Sequence, residues 1–248
     1  AAGGTLAGAS KPPPGVYGWV VLNGYNASTV RNLGVNCRSD PACISNLTTG
    51  ASDLILDHVI VAQSYNGAAV EALNGRIIAY SSQFRSAVST AVVVGYAGGS
   101  AHRFNDCDFT GGDGPALVIT KDASVEITGS RITTTGDQPA IISDGASLIR
   151  VQHSRITAHA SAFHFKDSYN TLITGSWLTS GGGYAVWVFD NVLRQTFAIT
   201  NDRRLIVDHY FFPGGAPVSR SLHSADLYSR RTVTLPPPAN ARHPPGPN

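Results

Sequence analysis

The sequence predicts an all-β solenoid with coils of 22–25 residues, and three observations carry that prediction. The first is a recurrence. Segments ending Asp-His-Val-Ile60, Ser-Ser-Gln-Phe84, Asp-Cys-Asp-Phe109, Gly-Ser-Arg-Ile132, His-Ser-Arg-Ile156 and Gly-Ser-Trp-Leu178 end 24, 25, 23, 24 and 22 positions apart. The second is that the recurrence holds in columns. Two positions before each terminal residue stand His58, Ser82, Cys107, Ser130, Ser154 and Ser176, and five before it stand Ile55, Ala79, Phe104, Ile127, Val151 and Ile173. The third is a further column, Ala69, Ala91, Ala116, Ala140, Ala162 and Ala185, each followed by an apolar residue. A short alternating strand cannot bury its apolar face alone. Stacking coils about 4.8 Å apart buries it and pairs the backbone between coils.

The elements follow in order. Residues 1–14 form a Gly/Ala/Pro-rich extended leader, and 15–50 form an N-terminal coil and cap. The solenoid occupies 51–217, with regular coils to about 192. The last coil carries an insertion, because Asp-His-Tyr-Phe211 follows Leu178 after 33 positions. Each coil reads as two strand-like stretches separated by Gly or Asx clusters such as Gly111-Gly-Asp-Gly114. Ile60, Phe84, Phe109, Ile132, Ile156 and Leu178 are expected to stack in one interior column. From 218 to 248 the period fails, and Pro236-Pro-Pro238 marks an irregular Pro-rich tail.

Composition narrows the function classes. Charged residues are 14% and glycines number 26, unlike an ordinary helical protein or a charged disordered chain. A formal net charge of +2 excludes a strongly cationic nucleic-acid binder. No apolar run reaches the length of a membrane span. The absence of methionine, even at position 1, points to a processed or excised chain. Cys37 and Cys43 bracket a turn-prone Asp-Pro, which suits a local disulfide or a pair of inert thiols. No second Cys/His pair at ligand spacing supports a metal site, and no cofactor motif is present. Asn26-Ala-Ser28 and Asn46-Leu-Thr48 match the glycosylation acceptor pattern.

Across residues 15–217 these columns resemble the right-handed parallel β-helix of the pectin-lyase-like superfamily. That resemblance implies the fold. It does not select the function, because the superfamily includes polysaccharide lyases, glycoside hydrolases, tailspikes and autotransporter passengers. The phrasing of Ala123-Ser-Val-Glu-Ile-Thr-Gly-Ser-Arg-Ile132 looks most like passenger and spike coils. Leu56-Asp57-His58-Val59 looks like the Ile-Asp-His segment of pectate lyases, but neither a downstream arginine motif nor a calcium-binding aspartate set accompanies it. The polygalacturonase pattern of paired Asp-Asp, Gly-His-Gly and Arg-Ile-Lys is missing as well. The expectation is a non-enzymatic extracellular or surface domain, a spike, adhesin or passenger-like stalk, that binds glycan or a partner protein. The alternative is a polysaccharide lyase or glycoside hydrolase acting on an acidic polysaccharide.

Alternation assigns faces. On the first strand, Val59, Gln83, Asp108, Arg131, Arg155, Trp177 and Tyr210 are read as outward, with Arg103, Glu126 and Arg150 beside them. Arginine forks on carboxylates and aromatic faces under sugar rings would suit an acidic glycan. The alternative is a surface ladder in which Asp108 and Arg131 simply pair. Asp106, Asp108 and Asp113 are the carboxylates available for acid–base chemistry. His58, in the column of Ser82 and Cys107, is read as an inward polar residue. On the second strand, the outward positions Val93, Val118, Ile142 and Trp187 are apolar where a wet surface would be polar. The explanations are cover by the 218–248 tail, a one-residue register slip, or packing against other copies, as in a trimer; self-association is the expectation.

Overall fold

The structure, a computed structural model, describes residues 5–7, 15–17, 20–22, 27–38, 42–46, 53–120, 122–166, 168, 171–181, 186–189, 197–200 and 210–211. They form three parallel sheets that run the length of a solenoid. The first sheet has nine strands from Thr5–Ala7 to Phe197–Thr200, the second eight from Gly15–Tyr17 to Trp177–Ser180, and the third nine from Val20–Leu22 to Tyr210–Phe211. Among the described residues no helix is long and apolar enough to cross a membrane.

Among the described residues, each coil from Ala27–Arg31 to Val186–Phe189 has three strands, not two. In one coil they are His102–Asn105, Asp108–Gly111 and Leu117–Ile119. A single residue with positive φ breaks what the sequence reads as one strand. Asn32, His58, Ser81, Asp106, Gly129, His153 and Gly175 occupy this corner with φ between 45° and 61°. The residue after each corner points inward again, so the chain turns from the first sheet to the second without losing a core position.

The corner also holds a polar ladder inside the solenoid. Ser82, Ser130, Ser154 and Ser176 are buried. The Ser130, Ser154 and Ser176 hydroxyls each accept a backbone N–H from the preceding coil at 3.1 Å, from Cys107, Ser130 and Ser154. Each donates to the carbonyl two residues before it, at 2.8–2.9 Å. The turn's orphan backbone groups are thereby satisfied in a dry interior. Cys107 takes a serine's place, its thiol donating to the Asn105 carbonyl at 3.3 Å, and burial pushes that thiol up to about 12.

Phe84, Phe109, Ile132, Ile156 and Leu178 do form one interior column, paired in register. Ile60 does not belong to it. Val61 pairs with Phe84, whereas Ile60 pairs with Gln83 and is 39% exposed. One residue of slip carries the neighbours with it: Val59 is buried rather than outward, and His58 sits exposed at the corner rather than inward. Leu54-Ile55-Leu56 and Val59-Ile60-Val61 are apolar in both registers, so alternation could not choose between them. Phe84, Phe104 and Phe109 fill the middle of the core, with ring centroids 5.0–6.2 Å apart.

Strand pairing extends into the N-terminal region. Thr5–Ala7 pairs in parallel with Ala27–Arg31, and Ala27–Arg31 pairs with Asp53–Asp57. Strand pairing therefore reaches back to Thr5. A disulfide joins Cys37 and Cys43 between the second and third sheets of one coil. Asn46 is buried and is not presented as a glycosylation acceptor. Asn26, the inserted segment 201–209 and the tail 218–248 lie outside the described residues.

Candidate functional site

The edge where the first sheet turns into the second carries a groove of about 410 Å³. It is lined by Asp106, Asp108, Arg131, His153, Arg155 and Trp177, with Gly129 and Gly175 in its floor. Asp108, Arg131, Arg155 and Trp177 pair in register on successive second-sheet strands. Four adjacent coils therefore present an acid, two bases and an indole at the spacing of parallel strands.

The glycines make the room. At the corner the column runs Asp106, Gly129, His153, Gly175. A Cβ on Gly129 would lie 2.3 Å from Asp106 Oδ1, and one on Gly175 would lie 2.7 Å from His153 Nδ1. Each polar side chain thus lies across the bare backbone of the following coil. Positive φ and close approach both call for glycine there.

The two groove arginines are differently placed. Arg131 Nε is 4.0 Å from Asp108 Oδ1, with the two side chains 68% and 48% exposed, an ion pair that contributes little. Among the described residues the Arg155 guanidinium has no hydrogen-bond or ion-pair partner. Trp177 is 45% exposed at the end of the row. Two adjacent guanidinium forks beside an open indole can bind a carboxylate or sulfate on a sugar whose ring face lies on the indole.

Other residues expected in this stripe lie elsewhere. Arg103 and Arg150 belong to the first sheet, in register with Glu126. Both are engaged by it: Arg103 Nε donates to Oε2 at 3.1 Å and Arg150 Nη1 to Oε1 at 3.0 Å. The single stripe is therefore two, because the corner lies between residues that a two-strand reading places on one face. Tyr210 is in the third sheet, where Tyr210–Phe211 pairs with Val186 and Trp187. Asp113 is exposed in the loop after the second sheet, apart from Asp106 and Asp108. His153 was missed, although it precedes the serine column just as Asp106 precedes Cys107.

Other polar clusters stand outside the groove. Asp57 accepts from Arg31 Nε at 2.8 Å and contacts His58 Nδ1 at 2.6 Å, so the Asp-His pair is part of an exposed ion-pair cluster. Arg76 is bound bidentately by Asp53, which raises its pKa. Among the described residues no group of three or more His, Cys, Asp or Glu is placed to hold a metal ion. On the third sheet Val93, Val118 and Ile142 are half-buried in one register column, which Glu71 precedes and His164 continues to the position of Trp187.

No curated protein and no solved structure matches the chain. The family described as "Right handed beta helix region" matches residues 66–203, more than half of the chain and the stretch that carries the groove. With its parallel sheets and stacked coils, the chain belongs to the right-handed β-helix family.

Proposed function

We propose that this β-helix is a non-enzymatic surface or extracellular domain that binds an acidic glycan in the groove between the first and second sheets. The observation that carries the reading is Arg155, a guanidinium without a partner among the described residues, beside the Arg131 fork and the exposed Trp177 ring. Arginines that serve only surface pairing look like Arg103 and Arg150, which are already spent on Glu126. The Cys37–Cys43 disulfide supports an oxidising, extracellular setting. The run of apolar third-sheet positions Val93, Val118 and Ile142, with Trp187 beyond His164 in the same register, supports self-association.

The test is binding of a uronic-acid oligosaccharide to wild type and to the Arg131→Ala/Arg155→Ala double variant. Charge-assisted hydrogen bonds contribute about 1.5–3 kcal/mol, so the variant should lose binding by a hundredfold or more. Its thermal midpoint should not move, because exposed arginines contribute little to folding. Equal affinities would refute the reading. Asp106 and Asp108 in the same groove favour a second reading, cleavage of the bound polysaccharide. New reducing ends or unsaturated products from an acidic polysaccharide would establish it.

A further inference from the structure

Two residues beyond the Asp108–Arg131–Arg155–Trp177 column, the second sheet presents another outward column. It consists of Thr110, Thr133, Thr157 and Thr179, paired in register across the same four strands. Thr110, Thr133 and Thr157 are half-buried and Thr179 is exposed. None of the four hydroxyls has a hydrogen-bond partner among the described residues. Thr134 and Thr135, next in the chain, behave differently, donating to the Gly114 carbonyl at 3.2 Å and the Gly111 carbonyl at 3.4 Å. The outward hydroxyls are thus available while their neighbours are consumed by the backbone.

We propose that the groove and this threonine column form one four-unit track, on which an extended acidic glycan lies parallel to the solenoid axis with one sugar per coil. The inference rests on the groove reading above and adds the ligand's direction, length and charge order. Parallel strands repeat every 4.7–4.9 Å, and the two columns stand roughly 6.6 Å apart along each strand. A pyranose unit in an extended chain is about as long as one coil is tall. Each coil then offers one charged or aromatic group and one hydroxyl to each sugar. A threonine hydroxyl both donates and accepts, so it can match a sugar hydroxyl in either sense.

The charge order sets the ligand class. The acidic units lie over the coils of Arg131 and Arg155, and a ring face rests on Trp177. Asp108 repels a further carboxylate, so the unit there is neutral or the chain ends. The track therefore selects a glycan with two consecutive acidic units, not an alternating one. Being built from backbone register, it requires no rearrangement of the sheet.

The experiment is calorimetric titration of the full chain with oligogalacturonates of two to six units, repeated with Thr133→Val/Thr157→Val. Valine keeps the β-branched shape, so folding should persist and circular dichroism will check it. Thr128→Val, at an outward first-sheet position, is the control. Affinity is expected to rise with length to three units and then level, because a fourth galacturonate would bring its carboxylate over Asp108. The double variant should bind the tetramer about tenfold more weakly, while the control matches wild type. Unchanged affinity in the double variant, or no gain beyond two units, overturns the track and leaves the groove reading standing. Absence of binding at every length overturns both.

Discussion

His102 offers a sharp test of the interior, because it is a titratable group placed where its charge cannot be tolerated. It is fully buried in the first sheet. Its Nδ1 accepts the Ile77 backbone N–H at 3.1 Å, and its Nε2–H donates to the Gly95 carbonyl at 2.7 Å. Only the neutral Nε2–H tautomer makes both bonds, since the charged ring has no acceptor to offer Ile77. Burial, with a smaller contribution from Arg76, lowers its pKa from 6.5 to about 4, although the Gly95 bond opposes the shift. The unfolded chain therefore binds more protons between those values, and stability falls as pH falls. The contribution is complete above about pH 6.5 and approaches a total loss of about 3 kcal/mol below pH 4. Most of that loss should be in place by pH 4.5. Urea unfolding of wild type and His102→Gln at neutral and acid pH measures the difference. Glutamine can accept and donate as the neutral ring does, but it does not titrate. The variant should lose less stability on acidification by that amount. Parallel pH dependences, or an NMR titration of His102 near an ordinary histidine value, would refute the argument.

Ile132→Asp places a carboxylate in the dry interior column and should cost about 4 kcal/mol or more, enough to unfold the coils. A near-native thermal midpoint would contradict the register. Cys107→Ser should be tolerated within about 1 kcal/mol, because hydroxyls already occupy the equivalent places at Ser82 and Ser130. A loss of more than twice that would show that the thiol is required for packing. Val118→Lys/Ile142→Lys should convert a self-associated chain into monomers in native mass spectrometry without unfolding it. An unchanged mass would remove the third sheet as the interface.

The repeat was legible because it is one-dimensional. A coil contacts chiefly its neighbours, so the interior demand recurs at almost the same spacing, and Phe109, Ile132, Ile156 and Leu178 reveal it. The third-sheet column from Val70 to Val186 was legible for the same reason. The corner was present in the sequence but unread. Ile127 and Ile132 both face inward at an odd separation, which an unbroken strand of period two cannot provide. Gly129, Asp106 and His153 are the residues that resolve it, by positive φ.

What the sequence determined by itself is the solenoid, its period and most of its inward columns, because hydrophobic burial repeats coil by coil. Only the tertiary structure decided which outward residues share a surface. The corner separates Arg103 and Arg150 from Arg131 and Arg155, and the register of a wholly apolar run such as Leu54–Leu56 depends on which neighbour it packs against. Outward positions carry no burial requirement of their own. Their grouping is set by where the backbone turns, and there a single left-handed residue in each coil outweighs every propensity around it.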